Sequence, residues 1–368
     1  MADVKYWIGF NIVPGIGPAR FKRLLDYFGD AEPAWRAAPP ELARAGLDRK
    51  SLQSLVTVRD KLDLDAEMQR IDEAGAHLLT LLDEGYPRLL RQIDLPPPVL
   101  YIKGSYSSED EWAVAVVGTR AAKTYGKEMT RYLAGDLARN RITVVSGLAR
   151  GIDSVAHRTA LEAGGRTIAV LGCGVDVVYP RENAKLSQDI VANGALVTEY
   201  ALGTKPERGN FPPRNRIISG LTLGTLVTQA GERSGALITA YYALEQGREV
   251  FAVPGSALDR GCTGANKLIQ QGAAKLVLRA QDVLEELNLT MISQQAEVRE
   301  VVPGNETEAL LLKYLSEESV HVDDLRRACG LPIAQVSATL ALMELKGMVR
   351  QTSGMHYVLA REGSIDYV

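Results

Sequence analysis

Residues 114–126, VAVVGTRAAKTYG, and 143–157, TVVSGLARGIDSVAH, decide the fold. In each, an apolar run of strand length (114–117 and 143–145) enters a glycine turn followed by a helical pattern. Each is a strand-to-helix corner. At such a corner the first helical amides lack internal partners and carry the positive end of the helix dipole, so they suit phosphate or carboxylate. Gly118 lets a ligand approach the first corner, and Arg120 and Arg150 add a planar, multi-donor cation to the first and second. Any parallel α/β sheet needs turns of this kind, so the corners alone leave a purely structural role open.

Outward from this stretch, strand patterns recur at 99–102, 167–171, 195–198, 225–228 and 249–253, with helical patterns at 185–192, 215–221 and 236–246. Such alternation predicts a doubly wound parallel sheet, whose ligands sit at the carboxyl ends of the strands. All the glycine- and arginine-rich turns fall at that edge. In GTKPERGNFPPRNRIISG (203–220), Pro212 and Pro213 are expected to hold the chain extended before a helix opening at Arg214, Asn215 and Arg216. Cations and an amide would then converge near free helix amides. Phe211, beside these arginines in a chain with 5 phenylalanines, suits either base stacking or anchoring of the loop as a core plug. Ser234 and Gly235, in GERSG (231–235), open a third small-residue helix start able to take a further phosphate.

The flanking regions differ in character. IVPGIGPARF (12–21) lies between two apolar-periodic segments and reads as a helix-hairpin-helix turn, with Arg20, Lys22 and Arg23 placed near a phosphate held by G-x-G amides. A plain αα-hairpin turning at Gly15 and Gly17 fits equally well. Residues 39–47 offer only a weak second hairpin, and 51–76 read as packed helices. Past Leu287 the pattern stops, and after a linker three short helices (307–315, 322–329, 333–346) and a hairpin (348–359) follow in winged-helix order. The third helix holds no lysine or arginine over 333–344, which favours protein contact or a spacer role over DNA reading. The expected boundaries are 1–79 for the helical domain, 80–287 for the sheet domain, 288–304 for the linker and 305–368 for the winged-helix-like domain.

A chain of 368 residues suits this three-domain division, and 46% hydrophobic with 24% charged residues is a globular composition. A net charge of -3 excludes a broadly basic protein, so any nucleic-acid site must be concentrated. Cys173, Cys262 and Cys329 form no CxxC pair, and neither disulfides nor a metal is expected. Without an apolar run of membrane length or a signal-like start, a cytoplasmic protein with no membrane partner is expected.

The glycine turns complete none of the common nucleotide-binding motifs. GTRAAK (118–123) lacks the second and third glycines of GxGxxG, GCGVD (172–176) lacks the third, and no GxxxxGK[ST] occurs, so no cofactor is expected. Ser146, Asp153 and His157 lie close in sequence, yet Asp153 and His157 are one helical turn apart and Ser146 sits outside any G-x-S-x-G elbow. No catalytic residue is assigned.

Five ordered blocks, VGTRAAKTYG, SGLARGIDSVAH, TIAVLGCGVDVVYPREN, FPPRNRIISGL and SGALITAYYALEQGREVFAVPG, together resemble the DprA/Smf family over about residues 86–283. The resemblance implies an extended Rossmann-like domain between an N-terminal sterile-alpha-motif-like domain and a C-terminal winged-helix-like domain. It further implies binding of single-stranded DNA, with duplex DNA as a further partner to test, homodimerisation, loading of the RecA recombinase in natural transformation, and no enzymatic activity. The strand-binding positions it implies are Arg120, Ser146, Gly147, Arg150, Phe211, Asn215 and Arg216, with Arg208 carried over across a loop of variable length. The dimer face is expected around Leu268, Ile269 and Ala273. The enzymatic alternative is a LOG-type nucleotide phosphoribohydrolase acting on nucleoside monophosphates. Those enzymes carry PGGxGTxxE, and QAGERSGALITA (229–240) lacks its glutamate.

Overall fold

Apolar residues of alternating parity build a sheet buried on both faces; the computed structural model describes residues 4–289, 306–315, 320–345, 349–351 and 353–359. The strands are β1 (His77–Thr80), β2 (Val99–Gly104), β3 (Ala113–Gly118), β4 (Thr143–Ser146), β5 (Thr167–Val170), β6 (Gly194–Thr198), β7 (Gly224–Gln229), β8 (Glu249–Ala252) and β9 (Lys275–Leu276). Their order is β1-β2-β6-β5-β4-β3-β7-β8-β9. The strands from β2 to β8 fall at the predicted runs. The two edge strands do not: each is short and partly exposed, so neither shows a strong apolar alternation. β2 runs antiparallel to both β1 and β6, while the pairings from β6 to β9 are parallel, so the sheet is mostly but not wholly parallel.

Six helices precede the sheet: α1 (Val4–Ile12), α2 (Pro18–Phe28), α3 (Ala31–Arg36), α4 (Pro39–Arg44), α5 (Arg49–Arg59) and α6 (Leu64–Glu73). Asp48 and Asp63 cap α5 and α6, each accepting two backbone N–H bonds in the first turn. Then come α7 (Arg88–Arg91), α8 (Thr124–Arg139), α9 (Ile152–Glu162), α10 (Ala184–Asn193), α11 (Phe211–Gly220), α12 (Ala236–Glu245), α13 (Thr263–Gln270) and α14 (Ala280–Glu286).

Strand parity divides the core. Leu100, Ile102, Ile168, Val170 and Val197 pack with Ile217, Ile218 and Leu237 of α11 and α12. Val99, Tyr101, Ala169 and Leu171 pack instead with Trp7, Phe10 and Leu24 of the N-terminal helices and with Leu186 and Ile190 of α10. The helical segment expected as a separate domain therefore shares its core with the sheet, and residues 1–288 make one compact unit. Asn11 fixes the junction, donating to the Glu199 carbonyl at 3.0 Å and accepting from the Tyr101 hydroxyl at 3.1 Å.

Residues 289–368 form a second unit. The expected linker lies, from residue 290 on, outside the described residues. The second unit's described elements are α15 (Glu306–Leu312), α16 (Val322–Cys329), α17 (Ile333–Leu345) and the strands β10 (Val320–His321), β11 (Val349–Gln351) and β12 (His356–Leu359), paired in the order β10-β12-β11. Leu311, Leu325, Val336, Leu340 and Tyr357 form its core. This is the winged-helix order, and the exposed face of α17 carries Gln335, Ala338 and Leu342 but no cation.

His157 is fully buried on α9 in the first unit. The Thr167 hydroxyl donates to the Val144 carbonyl at 2.6 Å, so the 2.7 Å contact between His157 Nδ1 and that hydroxyl requires a protonated Nδ1. Nε2 is left bare and without a partner. Burial first, and then the charge of Arg214, push the imidazole pKa down to about 3 from 6.5. The unfolded chain protonates this histidine below about pH 6.5 and the native one does not, so stability is complete above that pH and falls as pH drops towards 3. Between pH 7 and 5 the loss from this group should be about 2 kcal/mol. Urea unfolding at both pH values should show a decline smaller by that amount in His157→Gln, and equal declines in both proteins would contradict the assignment.

Candidate functional site

The chain leaves β3 towards β4 on one side and β7 towards β8 on the other, so the crevice between β3 and β7 is the topological switch point of the sheet. A register shift between Val117 and Gly118 pairs Gly118 with Gln229. The first corner is locked there. Thr119 N–H donates to the Gln229 carbonyl at 2.8 Å and Lys123 N–H to its Oε1 at 3.0 Å. A Cβ on Gly118 would meet the Ile152 side chain at 2.4 Å, so this glycine serves close packing rather than ligand approach. Gly151 then joins the first two corners: its φ is +78°, and a Cβ would stand 2.3 Å from the Thr119 carbonyl oxygen.

Two backbone amides of the second corner are already taken. Asp153, in the first turn of α9, accepts from the N–H groups of Gly147 at 3.2 Å and Ala149 at 3.3 Å, so its own carboxylate occupies the amides expected to hold a phosphate. Ser146 is fully buried and donates to the Val116 carbonyl at 2.7 Å, which removes it from direct ligand contact. Asp153, Ser146 and the Thr167-bound His157 thus have separate structural duties, and their arrangement is not that of a nucleophile, base and orienting acid.

Pro212 and Pro213 do not extend the chain but begin a helix. Their fixed φ and missing N–H are harmless at the first helical positions, and α11 starts at Phe211. This turns Arg214 inward. Its guanidinium, 4% exposed, donates from Nη1 to the carbonyls of Gly147, at 3.0 Å, and Val170. A Cβ on Gly147 would lie 2.7 Å from Arg214 Nη2 and 2.9 Å from Asp153 Oδ2, so the missing side chain is what lets these two charges approach. Burial lowers the Arg214 pKa to about 10, and burial likewise raises that of Asp153 against the pull of Arg214. Arg216 is also enclosed, pairing with Glu199 at 2.6 Å with both side chains mostly buried. Burial pushes the Glu199 carboxyl up, and Arg216 opposes this. Arg214 and Arg216, expected on the ligand, hold the loops instead.

The surface is left to other groups. Phe211 is partly exposed and packs on Gly172, whose Cβ would meet the ring at 2.9 Å. The exposed Tyr179 ring is centred 5.6 Å away, and the Arg120 and Arg214 guanidinium carbons lie 5.5 and 5.8 Å from the Phe211 centroid. Phe211, Tyr179, Arg120, Arg150 and the glycines Gly147 and Gly172 line a small pocket of about 60 Å³. Arg150 is exposed and ion-paired with Glu182 through two contacts, the longer 2.9 Å. Arg208 is exposed in the turn before α11. Asn215 accepts from Arg214 Nε at 3.3 Å and donates to the Gly235 carbonyl at 3.4 Å, bridging α11 to the turn after β7. Ser234 accepts from the Ala236 N–H at 3.4 Å within that turn.

A larger cleft of about 820 Å³ lies between the α1–α2 hairpin and the loop after β6. Its cations are each closed by an acid: Arg20 by Asp48, Arg70 by Glu67 and Arg216 by Glu199. Gln229, Tyr179 and Glu182 were not anticipated from sequence. Only the position of Gln229, directly after an apolar run, hinted at its role at the bulge. Among the described residues no His, Cys, Asp or Glu cluster suits a metal, and no helix is long and apolar enough to cross a membrane.

Residues 77–288 match the family described as DNA recombination-mediator protein A, and 295–355 match the DprA winged helix domain. The chain is 36% identical to a Synechocystis protein named Protein Smf, over 97% of this chain and 98% of that one. The crystal structure of DNA processing protein A from Streptococcus pneumoniae is similar with a TM-score of 0.69 at 37% identity, covering 78% of this chain and 99% of that one. A Helicobacter pylori DNA processing protein A, described for its unique single-stranded DNA binding mode, superposes with a TM-score of 0.53 at 32% identity, over 58% and 95% of the two chains.

Because Arg214 and Asp153 flank Gly147, Gly147→Ala should lower the unfolding free energy by about 2 kcal/mol through overpacking. Arg214→Ala, which strands a buried carboxylate, should cost about 3–5 kcal/mol. Gly209→Ala, where a Cβ meets nothing within 4 Å, is the control and should stay within about 0.5 kcal/mol of wild type. Denaturant melts that ranked the three equally would remove Arg214 from its organising role.

Proposed function

Because the chain belongs to the DprA/Smf family, we propose that it binds single-stranded DNA at the carboxyl edge of its sheet and acts in DNA recombination and transformation. The observation that carries this reading is the pair of the partly exposed Phe211 and the exposed Tyr179 beside Arg120 and Arg150. A base stacks on an aromatic face regardless of its identity, for about 1–3 kcal/mol, and neighbouring guanidinium groups take the flanking phosphates. The H. pylori relative's single-strand binding supports the same assignment here.

In this reading Phe211 is the stacking platform and Arg120, Arg150 and Arg208 are the phosphate contacts. Gly118, Ser146, Gly147, Arg214, Asn215, Arg216 and Ser234 shape the turns that carry them. Arg150 reaches a phosphate by exchanging Glu182 for it, a small cost for an exposed pair. The protein holds the strand without altering it, and hands it to the RecA recombinase. The α17 face, free of cations, suits a protein contact better than duplex DNA.

Arg120→Ala should reduce the salt slope of single-strand binding by about 0.7 without destabilising the fold. Phe211→Ala should cost about 1–3 kcal/mol of affinity. Arg216→Ala should instead reduce stability, because Glu199 stays buried. Unchanged affinity in both Arg120→Ala and Phe211→Ala would remove this edge from strand binding, and adenine released from AMP would favour the phosphoribohydrolase alternative. Acceleration of RecA filament assembly on protein-coated single strands tests the hand-over, and its absence would leave strand holding alone.

A homodimer completes the proposal, with a shifted face. Leu268 is 1% exposed and belongs to the core, whereas Leu276 on the edge strand β9 and Leu278 beyond it are 43% and 60% exposed. An open edge with exposed leucines is a ready pairing surface. Light scattering of Leu276→Arg/Leu278→Arg should report a monomer, and a particle of wild-type size would place the contact elsewhere.

A further inference from the structure

Arg120 and Arg150 line a second, open groove of about 380 Å³ beyond the Phe211 pocket. Lys127 and Arg131, one turn apart on α8, form one wall, and Arg158 on α9 forms the other. Five cations thus meet one lining acid, Glu182. Arg131 is paired with Glu128 and Arg150 with Glu182, but among the described residues no acid pairs with Arg120, Lys127 or Arg158, and all three are exposed. The larger cleft against the α1–α2 hairpin differs in this respect. A phosphate entering it must displace Asp48, Glu67 or Glu199 from its arginine, two of these acids being buried or nearly so. In the α8–α9 groove three of the five cations, Arg120, Lys127 and Arg158, have no acid partner among the described residues, and the groove shares two of its residues with the stacking pocket.

We propose that a single strand held at Phe211 continues across the α8–α9 groove, its backbone phosphates resting on Lys127 and Arg158. This rests on the strand-binding reading above and adds the direction of the path. The strand leaves over the amino-terminal half of α8 and the middle of α9, and not through the cleft under the helical hairpin. Because the groove lacks exposed aromatic rings apart from those of the shared pocket, it reads the backbone and not the bases, and adds affinity without sequence preference.

Full-length wild type and Lys127→Ala/Arg158→Ala should be titrated with thymidine oligonucleotides of about 4 and about 15 nucleotides at several salt concentrations. Both substituted residues are exposed, so the fold is retained, and Lys127→Arg/Arg158→Lys serves as the charge-preserving control. On the long strand the double alanine variant should lose on the order of tenfold affinity at low salt and about 1.4 of salt slope, two contacts at about 0.7 each. On the short strand it should match wild type, and the charge-preserving variant should match on both. Equal binding of the long strand by the alanine variant and wild type overturns the path while leaving the Phe211 pocket standing. A wild-type protein that binds neither strand overturns the underlying reading and the path with it.

Discussion

A guanidinium placed where water cannot reach it organises this edge of the sheet. Arg214 comes from α11, its acceptors come from the ends of β4 and β5, and its counter-charge, Asp153, comes from α9. A buried cation is tolerable only when its donors are matched and an opposite charge is near, so these segments must take up one relative arrangement. Gly147 is small because both charged groups need its space. Asp153 in turn consumes the Gly147 and Ala149 amides of the second corner, so these backbone donors serve the fold and are not open to an outside anion.

The consequence for electrostatics is a separation of duties among cations of one chemical type. Arg214 and Arg216 face inward and are closed by carbonyls or carboxylates, while Arg120 and Arg208 face solvent. In a chain of net charge -3, affinity for a polyanion depends on where the unpaired cations gather rather than on how many arginines there are. Among the described residues three of them, Arg120, Lys127 and Arg158, gather on the loop after β3 and on α8 and α9. The rings of Phe211 and Tyr179 sit at one end of that stretch, so the fold sets aromatic and cationic groups side by side.

Much of this was legible in the sequence. Strands buried on both faces announce themselves as short apolar runs, and the turns after them carried the glycines and arginines of the site. The inward or outward sense of each arginine was not legible. Reading Pro212 and Pro213 as extended chain started the helix at Arg214; starting it at Phe211 moves every later side chain around the axis, so Arg214 points into the sheet edge and Arg216 towards Glu199. The sharing of one core by the N-terminal helices and the sheet was equally hidden, because an apolar helix face looks the same whatever covers it. The edge strand β1 does not stand out in the sequence because four residues, grading from exposed His77 to buried Thr80, carry too little periodicity.

The central claim is that a base of the bound strand lies on Phe211 and Tyr179. Photo-crosslinking of an iodouracil-substituted single strand to the full-length protein, followed by mass spectrometric mapping of the attached peptide, tests it directly. Attachment at Phe211 or Tyr179, abolished when both are changed to leucine, is the expected result. Crosslinks confined to the hairpin around Gly15 and Gly17, or to residues beyond 305, would contradict the account.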